Sequence, residues 1–84
     1  MTKVSQINPN KPVVQMRDAF IADPTGSFFG VVIDYPEDHQ AFPGAVSNGE
    51  TVRTSAIEKT FSEGGFTYVE TQRTTYKILS FVEA

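Results

Sequence analysis

The chain of 84 residues suits one domain with a small core, because a chain near this length buries only about 60% or slightly more of its unfolded surface. It is 39% hydrophobic and 20% charged and has no cysteine. Stability must therefore come from packing and sheet pairing, and disulfides, thiolate metal sites and thiol nucleophiles are excluded. Seven basic and ten acidic residues give a formal charge of -3. They form no block of either sign, which argues against a duplex nucleic acid ligand and against imitation of DNA.

The first twelve residues, "MTKVSQINPNKP", carry two prolines, two asparagines and no apolar period, and read as an extended or flexible arm (1–12) ahead of a single β domain (13–84). They lack the apolar centre of a leader peptide, and no stretch of the chain approaches the roughly 18 apolar residues of a membrane span. The expectation is a protein that stays where it is made. Residues 13–22, "VVQMRDAFIA", fit a strand, but Val13, Met16, Arg17 and Phe20 would also share one face of a short helix. "DPTGS" marks a reversal, with Pro24 presetting its own φ and Gly26 able to take a positive one.

Residues 28–35, "FFGVVIDY", form the clearest strand, apolar on both faces and hence central. Pro36 lacks an amide hydrogen and ends the ladder, and residues 36–49 form a long excursion. "TVRTSAIEKTF" (51–61) reads as a threonine-rich strand. "SEGG" supplies two glycines that accept positive φ, so Phe61 and Phe66 flank a hairpin. The return segment of seventeen residues (66–82) is long for one strand, and a bend or bulge near "TQRT" would let it serve two edges of a curled sheet. Together these predict an all-β domain with at most one short helix, a small antiparallel sheet or barrel-like domain of four to five strands.

Thr54, Ser55 and Ile57 form a "TSxI" strand, and Glu70, Thr71, Thr74 and Tyr76 an "ETxxTxY" return strand, after an acidic, aromatic and proline corner. This pattern, over the last two thirds of the chain, resembles small uncharacterised bacteriophage and prophage β-domain proteins. The resemblance implies a β domain of viral origin working in a bacterial cytoplasm, and it transfers no catalytic residue.

The stretch "YPEDHQAFPG" (35–44) concentrates candidate chemistry. Asp34, Glu37, Asp38 and His39 offer enough donor atoms for a divalent metal, but their spacing matches no helical, EF-hand or zinc pattern. One loop also cannot supply both a pocket and a second, separated acid or base. No serine lies in a G-x-S-x-G elbow, and "GSFFG" lacks the lysine of a phosphate loop. The expectation is a binding protein with no enzymatic activity, no cofactor and no metal.

Two binding modes follow. In the first, a phage-type module engages a host protein, and inhibits it where that suits the virus, through Tyr35, Glu37, Asp38, His39 and Phe42, with Phe42 either folded back as a lid over the sheet or standing out as an anchor. In the alternative, a small β-barrel binds single-stranded nucleic acid through Arg53, Lys59, Tyr68, Arg73 and Lys77, its aromatics interleaved with cations. Unpaired strand edges also predict a homodimer.

Overall fold

The computed structural model describes residues 5–23, 25–36 and 48–82. Six strands follow in chain order: β1 (Val13–Phe20), β2 (Phe29–Asp34), β3 (Thr51–Arg53), β4 (Ile57–Glu63), β5 (Phe66–Thr71) and β6 (Thr75–Ile78). They form one mixed sheet in the order β3-β2-β1-β6-β5-β4, and no described residue is helical. The all-β class is as expected. The strand count is six where four or five were expected, and the order is not wholly antiparallel, because β1 and β6 run parallel with Val14 opposite Tyr76 and Met16 opposite Ile78.

Two features raise the count. Residues 51–61 are not one strand: the Thr54 hydroxyl accepts from the Phe28 amide at 3.1 Å and donates to the Ser55 carbonyl at 2.8 Å. A side chain thus takes over a ladder bond and the strand lapses over residues 54–56. The segment after Phe66 does not merely bend. It reverses over residues 72–74, where the Thr71 amide and hydroxyl both donate to the Thr74 carbonyl at 2.8 and 3.1 Å, and β5 and β6 pair antiparallel.

The Gly64 and Gly65 turn is as expected: φ values of 60° and 84° are those of a primed hairpin turn, whose twist matches its strands, and Glu63 pairs with Phe66 across it. Gly26, by contrast, does not take a positive φ. The Asp23 carboxylate closes that reversal, accepting from the Thr25 amide and hydroxyl at 2.9 Å each. These bonds, the amide first, hold the carboxyl of Asp23 below its ordinary pKa.

Short link, strong curl. A flat six-stranded sheet would hold its edge strands about 24 Å apart, at about 4.8 Å per step. Yet β3 and β4 are the two edges, and the four peptide steps from Arg53 to Ile57 reach at most ~14 Å. The sheet must curl to bring its edges together, and the Gly26 carbonyl accepts from the Ile57 amide at 3.1 Å beside the link.

The concave side holds one core of Val14, Met16, Ala19, Phe28, Val32, Val69, Tyr76 and Ile78. Gly30 is part of its packing, since a Cβ there would lie 2.1 Å from the Met16 sulfur. In β1 the register slips between Arg17 and Phe20, and within that bulge Asp18 has a φ of 53° while its amide donates to the Ser80 hydroxyl at 3.0 Å.

On the convex side of the β4–β5 hairpin, Phe61 stacks on Tyr68 with ring centroids 5.2 Å apart, and both rings are buried. The register places Glu63, Lys59 and Glu70 on this same face. The arm crosses it: the Ser5 hydroxyl and Gln6 amide bond Glu63 at 2.8 Å, and Lys11 Nζ reaches Glu70 at 2.9 Å, Glu58 at 3.3 Å and the Thr71 carbonyl at 2.7 Å. The Glu70 hydrogen bond foremost raises the Lys11 pKa.

Candidate functional site

A polar cavity of about 200 Å³ lies where the link joins the sheet edges, lined by Tyr35, Arg53, Thr54, Ser55, Thr71, Arg73, Thr74 and Tyr76. Arg53 ends β3, Ser55 sits in the link, Arg73 projects from the β5–β6 reversal, and Tyr35 follows β2. The wall is fixed by internal bonds. Thr54 and Thr71 spend their hydroxyls on Ser55 and Thr74, and Tyr76 packs edge-on against Phe28 at 5.5 Å. Burial foremost, and the proximity of Tyr35, push the Tyr76 hydroxyl up to about 12, against a smaller opposing effect of its hydrogen bond with Thr74.

The guanidiniums give the cavity its character. Arg53 bonds only the Ser27 hydroxyl, at 3.0 Å through Nε, and Arg73 forms no hydrogen bond or ion pair among the described residues. Among the described residues that line the cavity there is no carboxylate. Elsewhere Lys11 pairs with Glu58 and Glu70, and Arg17 with Asp18. In a chain with net negative charge, two arginines thus line one polar cavity without a counter-ion among the described residues, and charges beyond a Debye length of about 8–10 Å are screened from them.

No protein-family model, curated protein or solved structure matches the chain. Its function must therefore be argued from this geometry.

The expected nucleic-acid residues fall into two groups. Arg53 and Arg73 meet in the cavity. Lys59 and Lys77 lie instead on the convex hairpin face, over the rings of Phe61 at 5.0 Å and Phe66 at 4.1 Å. Tyr68 is buried beneath the arm's path and stacked on Phe61, so it offers no open ring for a base. Lys59 sits opposite Glu70 in the ladder, but it is Lys11 that pairs with Glu70.

Of the expected protein-binding residues, Tyr35 lines the cavity, while Glu37, Asp38, His39 and Phe42 lie outside the described residues. Among the described residues no three His, Asp or Glu side chains cluster as a metal would need, and no helix is long and apolar enough to cross a membrane. Sequence reasoning missed Ser55, Thr71 and Thr74 as cavity residues and Lys11 as an anchor. Threonine and serine in strand-like runs carry no local mark of a cavity wall, and Lys11 meets its acids 47 and 59 positions away.

Proposed function

We propose that this chain is a non-enzymatic binding domain, a small barrel-like sheet that takes the phosphate of single-stranded nucleic acid between Arg53 and Arg73. The observation that carries the reading is the pair of guanidiniums lining one cavity, with no carboxylate among the described residues of its walls. Arginine suits this role because its planar fork donates two parallel hydrogen bonds to phosphate oxygens. A half-buried Tyr35 beside them supplies a ring for base or sugar contact.

Titration of the chain with a fluorescent oligothymidylate tests it. One neutralised phosphate predicts a slope near -0.7 in log affinity against log salt, about a 2.6-fold loss between 50 and 200 mM. Binding should vanish in the Arg53→Gln/Arg73→Gln variant; no binding at low salt, or binding indifferent to both arginines, rejects the reading.

A second reading, a phage-type module that engages and inhibits a host protein in the bacterial cytoplasm, draws support from exposed apolar side chains near the end of β1. Phe20 and Phe29 are paired in the ladder, Phe81 bridges Ala19, and these and Val82 are 46 to 49% exposed. Under that reading a stoichiometric partner recovered from lysate is lost on Phe42→Ala or Phe29→Ser; retention in both variants discards it. Self-association through the open β4 edge belongs to the same proposal, and sedimentation at micromolar concentration tests it.

A further inference from the structure

Within the nucleic-acid reading, on which this inference rests, we propose that the cavity selects a terminal phosphate, a phosphomonoester at the end of a strand or on a free nucleotide, over the phosphodiesters of a continuous backbone.

Charge is the first argument. A phosphomonoester carries about -1.5 to -2 at neutral pH, which two guanidiniums balance, whereas a single diester carries one charge and leaves a cation unmatched. The second is the absence of a track. Proteins that follow a backbone line a groove with successive cations. Here the remaining described cations lead nowhere from the cavity: Lys11 and Arg17 are held by acids, and Lys59 and Lys77 sit over rings on the convex face of the hairpin.

Size and donors are the third. At about 200 Å³ the cavity is smaller than the roughly 300–1,000 Å³ of sites that enclose a whole small molecule, so it receives a group and not a length of chain. The Ser55 hydroxyl, exposed and without a partner among the described residues, adds a donor beside Arg53 and Arg73. The threonines around it are committed to the wall, so the donors face the ligand on a framework that is already bonded.

Calorimetric titration of the full chain at 50 mM salt, with hexathymidylates phosphorylated at the 5′ end, at the 3′ end or at neither, tests the inference. Thymidine monophosphate and a phosphoserine hexapeptide serve as further probes. One phosphorylated hexamer should bind at least about tenfold tighter than the unphosphorylated one, the scale of a charge-assisted bidentate contact. Arg73→Gln should abolish that difference without lowering the melting temperature, since Arg73 supports no bond of the fold. Thymidine monophosphate binding as tightly as the best hexamer identifies a nucleotide as the source, and much weaker binding identifies a strand end; both uphold the inference. Equal affinity for all three hexamers, lost in Arg73→Gln, overturns the terminal preference and leaves the single-strand reading standing. Preference for the phosphopeptide, or no binding at all, overturns both.

Discussion

Thr75 carries the one buried side-chain polar atom that lacks a hydrogen-bond partner among the described residues. The residue has no exposed surface. Its backbone is satisfied, the amide donating to the Pro12 carbonyl at 2.9 Å, so any cost lies in the hydroxyl alone. An unpaired buried hydroxyl costs about 1–3 kcal/mol in protein mutational series. Thr75→Val replaces it with a methyl of nearly the same size and keeps the β branch that suits strand β6. The variant should gain about 1–2 kcal/mol, which in a domain this small raises the melting temperature by roughly 5–10 °C. Thermal and urea unfolding followed by circular dichroism measure it. Thr75→Ser, which keeps the hydroxyl and deletes the methyl, should instead lose about 1 kcal/mol. A Thr75→Val chain no more stable than the parent would refute the reasoning, because it would mean that the hydroxyl is satisfied, for instance by a water held under the arm.

Three other perturbations probe separate features. Gly30→Ala should cost about 1–3 kcal/mol in urea unfolding, since the new methyl meets the buried Met16 side chain; a neutral result would mean that Met16 repacks freely. Asp18→Val should cost about 1–2 kcal/mol despite being an exposed strand position, because a β-branched residue is strained at positive φ; equal or greater stability would show that the bulge does not need the left-handed conformation. The raised Tyr76 pKa makes the folded state hold a proton that the unfolded state releases above pH 10. Stability should accordingly fall between pH 10 and 12, by up to about 1.4 kcal/mol per unit. Denaturation of the Tyr76→Phe variant should lack that share of the slope, and identical slopes would refute the assignment.

What could be read from sequence was local. Pro36 and the Gly64 and Gly65 pair act through their own backbone constraints, and the apolar run of β2 through its own composition, so the end of β2, the hairpin and the existence of that strand were legible; its expected central place was not, since β2 lies beside the edge strand β3, buries one face, and leaves the middle of the sheet to β1 and β6. The break at Thr54 was not legible, nor was it legible that the bend expected near residues 71–74 is a full reversal, because each is made by a threonine hydrogen-bonding in place of the ladder, without glycine or proline to announce it. The parallel β1–β6 pairing links the first strand with the last, and no short-range pattern encodes it. The candidate site divides the same way. Arg53 and Arg73 stood out as cations, yet that they share one cavity while Lys59 and Lys77 do not follows from the curl of the sheet, which a three-residue link imposes and composition does not reveal.

The parallel arrangement of β1 and β6 also bears on how the domain responds to force. Tension applied through the chain on either side pulls the beginning of β1 and the end of β6 in opposite directions along their shared axis. The hydrogen bonds between them would then be loaded together in shear rather than peeled one at a time. Since the outer hairpins lie beyond this pair, the domain should yield abruptly, in a single event at its centre.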